Sequence, residues 1–130
     1  YDLSNSVREF EETGKGARVF GMEVPGNANQ YGIIELDSDG SVVSIEEKPE
    51  NPKSNIAQTG IYMYDNTVFE RIRKLSPSTR GELEVTDLQN KYIKDGTMKW
   101  EYLNGFWLDA GTFRTLFEAN KYWAEKALMK

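Results

Sequence analysis

Strand-like and helix-like segments alternate along the whole chain in an irregular order, and this alternation limits the folds open to it. Apolar residues at helical spacing predict four helices, which begin near residues 3, 67, 86 and 112. Runs rich in β-branched and aromatic residues predict five strands, at residues 17–24, 32–36, 41–47, 55–64 and 97–103. The mixed order favours an α/β fold in which helices are layered on a mixed β-sheet.

The helices carry further local signals. Two of them begin with a capping-box pattern, Thr67 with Glu70 and Thr86 with Gln89. The last helix, which begins near Thr112, has an apolar stripe that we expect to be buried. That stripe consists of Phe113, Leu116, Phe117, Trp123 and Ala127.

Composition excludes several kinds of site. The 130 residues include no cysteine and no histidine, so thiolate metal sites, cysteine nucleophiles and a histidine general base are ruled out. The net charge is −5, with 16 basic and 21 acidic residues interspersed. Without a basic stripe, binding to duplex nucleic acid is not expected. No apolar run reaches the length of a membrane span, so no membrane partner is expected and a cytoplasmic location fits.

One charged segment ends a predicted strand. In Glu46-Glu47-Lys48-Pro49 the proline cannot continue a central ladder, so the strand stops and Lys48 lies near its terminus. Strand ends are where open α/β sheets bind ligands. The same tetrapeptide is also typical of a solvated charged edge, and on its own it favours that interpretation.

Two further segments allow a structural or a functional interpretation. Arg80, beside a glycine, would suit a phosphate group, but it would equally suit an ordered surface loop. Asp109 lies between large apolar residues and a glycine turn, where it would either cap the last helix or serve as an oxygen ligand for Mg²⁺. Trp107, Tyr31 and Tyr62 are each more often packing residues than ligand contacts.

The order of five motifs resembles that of the sugar-1-phosphate nucleotidylyltransferase family, most closely the bacterial glucose-1-phosphate thymidylyltransferases. The motifs are Gln30-Tyr31-Gly32-Ile33-Ile34-Glu35, Ser44-Ile45-Glu46-Glu47-Lys48-Pro49, Gln58-Thr59-Gly60-Ile61-Tyr62, Arg80-Gly81-Glu82-Leu83-Glu84-Val85-Thr86-Asp87 and Trp107-Leu108-Asp109-Ala110-Gly111-Thr112. The resemblance runs from the first predicted helix to the last. It implies that residues 1–130 form the second half of a Rossmann-like nucleotide-diphospho-sugar transferase domain.

The resemblance also implies roles for individual residues. Lys48 would grip the phosphate of a sugar-1-phosphate, Arg80 would add a second cation, and Asp109 would be one of two aspartates holding Mg²⁺. Glu47 would accept hydrogen bonds from sugar hydroxyls. The remaining sugar-lining residues would be Tyr31, Gly32, Thr59, Gly60, Tyr62 and Trp107.

The family transfers a nucleotidyl group from a nucleoside triphosphate to a sugar-1-phosphate. The glycine-rich nucleotide-binding loop of its first half has no counterpart here, so these residues alone are not expected to catalyse. The leading hypothesis is a fragment of an enzyme that makes dTDP-glucose for deoxysugar biosynthesis, expected to be a homo-oligomer at full length. A uridylyltransferase, a related sugar substrate and a non-catalytic sugar-phosphate-binding or assembly module remain alternatives.

Overall fold

A computed structural model describes residues 2–79 and 81–129 of the chain and contains one five-stranded sheet. The strands are β1 (Ala17–Glu23), β2 (Gly32–Leu36), β3 (Val42–Glu47), β4 (Ile56–Tyr64) and β5 (Met98–Tyr102). Their order across the sheet is β3-β2-β4-β1-β5. Only β1 and β5 pair in parallel, and the remaining neighbours are antiparallel. The predicted mixed sheet and all five predicted strands are therefore confirmed.

In the described part of the chain, four α-helices accompany the sheet: α1 (Ser4–Thr13), α2 (Val68–Arg73), α3 (Val85–Lys94) and α4 (Phe113–Leu128). A short 3₁₀ turn covers Ala28–Gln30. Helix α1 ends at Gly14, which adopts a left-handed conformation with φ of 66° and donates its N–H to Phe10 O at 3.0 Å. No helix among residues 2–79 and 81–129 is both long and apolar enough to cross a membrane.

The two predicted capping boxes are wrong. The Thr67 hydroxyl caps no helical N–H and donates instead to Asp65 Oδ1. Thr86 lies inside α3, whose N-cap is Glu84, and Gln89 is fully buried with Nε2 3.1 Å from Tyr64 Oη. In both cases the side chain binds a residue outside the helix and therefore does not cap the helix. The predicted start of α4 is right, because Thr112 and Thr115 form a reciprocal capping box.

The predicted burial of the α4 stripe is also wrong. No residue of α4 is buried, and Phe113 and Phe117 are 96% and 68% exposed. Phe106 stacks on Tyr122 of this helix, with ring centroids 3.7 Å apart. Periodicity identifies the apolar side of a helix, but burial requires an element opposite that side.

Helix α3 holds the edge strand β3 in place. The Asn90 side-chain oxygen accepts a hydrogen bond from Ile45 N at 3.1 Å, and its Nδ2 donates to Ile45 O at 2.7 Å. One amide thus satisfies both backbone groups of an edge residue two positions before Glu47. This clamp fixes the end of β3, where the charged segment begins.

The opposite edge of the sheet, formed by β1 and β5, is tied to α1 through a buried arginine. Arg18 is 7% exposed, and its Nη1 lies 3.2 Å from Ser6 O, 3.2 Å from Glu101 Oε2 and 3.4 Å from Glu9 Oε2. A buried guanidinium needs such partners, because an unpaired buried charge is strongly destabilising. Arg18 therefore orders α1 against β1 and β5.

Candidate functional site

An open cleft of about 390 Å³ lies where the β2–β3 hairpin, the middle of β4 and the loop after β5 meet. It is lined by Gln30, Tyr31, Gly32, Glu47, Lys48, Gln58, Thr59, Gly60, Tyr62, Trp107, Leu108, Asp109 and Ala110. These residues come from four separate parts of the chain, and the sheet register brings them together.

The hairpin supplies one wall of the cleft. Its strands are joined by a turn in which Asp37 Oδ1 accepts from the backbone N–H groups of Asp39 and Ser41, both at 2.9 Å. The resulting register pairs Gly32 with Glu47 at the open end of the hairpin. The first residue of β2 and the last residue of β3 are therefore neighbours.

Lys48 has an uncommon backbone conformation. Its φ is 45°, and it is the only non-glycine residue with positive φ in the described part of the chain. Its N–H donates to Tyr31 O at 3.0 Å, and its side chain is 57% exposed with Nζ 3.9 Å from Glu47 Oε1. A left-handed conformation costs a non-glycine residue about 1–2 kcal/mol. Such strain is concentrated at functional sites.

A bulge in β4 builds the opposite wall. Val19 of β1 pairs with Tyr62 and Gly21 pairs with Gln58, so residues 59–61 lie opposite a single residue of β1. Gly60, with φ of 83°, accommodates the extra length. Because of this bulge, Thr59 and Gly60 line the cleft together with Tyr62.

Trp107 closes the cleft from the loop after β5. Its indole Nε1 donates to Thr59 O at 3.0 Å, and its ring meets Tyr31 edge to face with centroids 5.6 Å apart. Both rings also pack on the apolar cluster of Val24, Ala28, Ile33 and Ala57. The side chains of Tyr31 and Trp107 are thus anchored to the core.

The phenol of Tyr62 is held neutral. Burial raises its pKa, and the negative charge of Glu47 raises it further, while a hydrogen bond with Gln89 acts in the opposite direction. On the same strand, burial raises the pKa of Tyr64 to about 12. A neutral phenol at the cleft can both donate and accept a hydrogen bond.

Asp109 lies at the mouth of the cleft and is exposed. Its Oδ1 accepts from Gly111 N at 3.1 Å, which shapes the turn before α4. The Thr112 hydroxyl, and not Asp109, caps α4, so the capping alternative for Asp109 is wrong. An exposed carboxylate in this position can act as one oxygen ligand of a divalent cation.

Arg80 lies outside the described residues, and its predicted role stays a prediction. Its neighbours Ser78 and Thr79 border a second cleft, of about 300 Å³, together with Glu46 and Glu47. Ser78 and Thr79 therefore lie close to the end of β3.

The structure brings all the other predicted site residues into one cleft, and the roles assigned to them stay predictions. Sequence reasoning did not single out Gln30, Gln58, Leu108 and Ala110, which also line it. Gln58 was detectable in principle, because it shares a strand face with Tyr62.

Lys48 is the only cation among the described lining residues of the cleft. The same cleft presents the carboxylate of Glu47, the phenol of Tyr62 and the aromatic rings of Tyr31 and Trp107. This combination suits a polar ring that carries one anionic group.

Comparison with known proteins places the chain in a family. Residues 1–126 match the family described as Nucleotidyl transferase. The chain is 43% identical over 122 residues to a glucose-1-phosphate thymidylyltransferase of Mycolicibacterium smegmatis, covering 92% of this chain and 42% of that protein. The chain thus spans less than half the length of that relative.

Two solved structures share the fold. One, from Bacillus anthracis, is assigned as a glucose-1-phosphate thymidylyltransferase and was solved in complex with sucrose. It is 41% identical with a TM-score of 0.84, and the match covers 94% of this chain and 49% of that one. The other is a UDP-glucose pyrophosphorylase complexed with UDP-glucose, at 24% identity and a TM-score of 0.81, over 95% of this chain and 49% of that one. That second likeness bears on the fold alone. The family match, the identity to the bacterial relative and the shared fold together show that the chain belongs to the nucleotidyl transferase family.

Proposed function

We propose that the cleft binds a sugar-1-phosphate, and that the chain contributes this half of the site to a glucose-1-phosphate thymidylyltransferase. That enzyme transfers a thymidylyl group from dTTP to glucose-1-phosphate, giving dTDP-glucose and pyrophosphate. The observation that carries the proposal is the conformation of Lys48. A strained backbone presents this cation at the same cleft as Glu47 and Tyr62.

Each wall has a role in this proposal. Lys48 binds the phosphate as a point charge, while Glu47 and the neutral phenol of Tyr62 bind sugar hydroxyls. Trp107 and Tyr31 provide apolar surface for the ring. Nucleotidyl transfer needs positioning and charge neutralisation more than covalent help from side chains, so a chain without histidine or cysteine is chemically sufficient for this half.

Asp109 is the proposed ligand of a Mg²⁺ ion. Its exposed carboxylate at the cleft mouth fits an ion that takes one or two carboxylates and completes its shell with substrate phosphates. No group of three or more acidic residues that could hold a metal by itself occurs among residues 2–79 and 81–129. When bound, Mg²⁺ would neutralise phosphate charge, and Asp109 would fix where that charge lies relative to Lys48.

The nucleotide is proposed to bind to a part of the enzyme outside these 130 residues. In support, no segment here resembles a glycine-rich triphosphate-binding loop, and the chain spans 42% of the Mycolicibacterium relative. In this proposal the choice between dTTP and UTP is made by that other part.

The test is calorimetric titration of the chain with glucose-1-phosphate, with and without Mg²⁺. Lys48→Ala is expected to weaken binding roughly 10- to 150-fold, the scale of a charged hydrogen bond of about 1.5–3 kcal/mol. Lys53→Ala is the matched control, because Lys53 is similarly exposed, at 60%, and pairs with Glu35 away from the cleft. Equal affinity in the Lys48 and Lys53 variants would refute the site.

A further inference from the structure

The floor of the cleft contains a buried amide whose acceptor has no partner. Gln58 is 8% exposed, and its Oε1 makes no hydrogen bond to any residue in the described part of the chain. Gln89 Oε1 is in the same state, but Gln89 does not line the cleft. Buried polar atoms in folded proteins are nearly always paired, so an unpaired one at a ligand cleft needs an explanation.

The backbone around Gln58 is shaped to admit its amide. A Cβ on Gly32 would lie 2.4 Å from Gln58 Nε2, so any other residue at position 32 would force the Gln58 side chain to move. Gly32 has an ordinary strand pairing with Glu47, so what the glycine provides here is space for the Gln58 amide in its present position. The first residue of β2 thus leaves room for the carboxamide beside Glu47 and Lys48.

From these two observations we infer that the Gln58 carboxamide is a specificity-determining group that hydrogen-bonds one hydroxyl of the bound sugar ring. This inference rests on the proposed function and assigns a residue that the family resemblance did not. A hydroxyl both donates and accepts, so it pairs with either end of the amide. Lys48 meets the anionic end of the ligand, and Gln58 distinguishes sugars by the hydroxyl they present.

The position favours a hydroxyl over the other groups of the ligand. A phosphate would be held by the cation Lys48 in preference to a neutral amide. An apolar group placed against Gln58 would leave the acceptor unpaired. A sugar hydroxyl satisfies the amide, and discrimination by such a group is strong because an analogue without it leaves the protein atom unpaired.

The experiment compares the wild-type chain with Gln58→Met, which has nearly the same shape but makes no such hydrogen bond, and with Gln58→Glu, which keeps the acceptors. The ligands are glucose-1-phosphate, its 2-, 3-, 4- and 6-deoxy analogues, and inorganic phosphate. For the wild type, one deoxy analogue should bind about 3- to 10-fold more weakly than glucose-1-phosphate. In Gln58→Met that difference should vanish, while inorganic phosphate binds as in the wild type.

Thermal melting without ligand provides the second readout. Because Gln58→Met removes an unpaired buried acceptor, its melting temperature should equal or exceed that of the wild type. A purely structural glutamine would instead show lower stability and an equal loss of affinity for every ligand, and that result would overturn the inference.

The two proposals fail differently. Lys48-dependent binding of all the sugar phosphates, with the same deoxy profile in wild type and Gln58→Met, overturns the role of Gln58 and leaves the site. Absence of Lys48-dependent phosphate binding refutes the proposed function and this inference with it. Should Gln58→Met not fold, the same deoxy comparison is made with Gln58→Glu, which keeps the acceptors and should therefore keep the wild-type profile. Loss of that profile in Gln58→Glu, or equal binding of all the deoxy analogues by the wild type, overturns the inference.

Discussion

The backbone at Lys48 allows strain and ligand binding to be separated by two substitutions at one position. At φ of 45° a residue with a Cβ is strained, and glycine is not. Lys48→Ala keeps the strain and removes the cation. Lys48→Gly removes both.

The expected stabilities follow from the structure. Relief of the left-handed strain is worth about 1–2 kcal/mol, and the extra freedom of glycine in the unfolded chain offsets about 0.5–1 kcal/mol. Lys48→Gly should therefore be about 0.5–1 kcal/mol more stable than Lys48→Ala. The Lys48 side chain is 57% exposed and its Nζ is 3.9 Å from Glu47 Oε1, so losing the charge should alter stability by less than about 0.5 kcal/mol.

Urea unfolding followed by tryptophan fluorescence measures this difference, since the chain contains three tryptophans. Glucose-1-phosphate titration of the same two proteins should show equal weakening, because both lack Nζ. If Lys48→Ala proved as stable as Lys48→Gly, the strain argument would be refuted. If the two variants bound glucose-1-phosphate with clearly different affinities, Lys48 would act through its backbone and not through its charge.

Three further predictions concern the scaffold. Arg18→Ala should destabilise the chain by about 2–3 kcal/mol in urea unfolding, whereas Glu9→Ala, which removes an exposed partner, should cost less than about 1 kcal/mol; equal effects would refute the importance of burial. Gly16→Ala should cost more than about 3 kcal/mol, because φ is 95° and the new Cβ would lie 2.4 Å from a backbone oxygen. Gly26→Ala, at φ of 80° in open space, should cost only about 1–2 kcal/mol, and comparable melting temperatures for the two would contradict the steric argument. Burial alone would raise the pKa of Asp65, but hydrogen bonds from Thr67, Gly16 N and Tyr92 lower it overall. Its folded pKa then lies below the unfolded value near 3.8, so the stability it contributes is present above that value and is lost as pH falls below it. Asp65→Asn should flatten this acid limb of the stability curve, and an unchanged limb would exclude Asp65 as its cause.

The sequence was sufficient for features that depend on neighbouring residues. The start of α4 near Thr112 depends on local hydrogen bonding, and it lies where the sequence predicted it. The strand end before Pro49 follows from the missing N–H of proline in the same way. Motif order was enough to predict the family as well.

Other features were decided by elements far apart in the chain. Thr67 and Gln89 fit capping patterns, yet Asp65 and Tyr64 bind their side chains instead. The stripe of α4 is apolar but exposed, because no described element covers it.

The cleft shows the same division. In a regular strand Thr59 and Tyr62 would lie on opposite faces. In β4, however, three residues face one residue of β1, and the resulting bulge brings both side chains to the cleft. The sequence identifies Gln58 as a polar residue in a strand, but it does not reveal a buried amide whose oxygen has no partner among the described residues. The sequence by itself determined the residue types, the local turns and the family. Only the tertiary structure decided which polar groups are paired and which are left for a ligand, because pairing depends on what each group meets across the sheet.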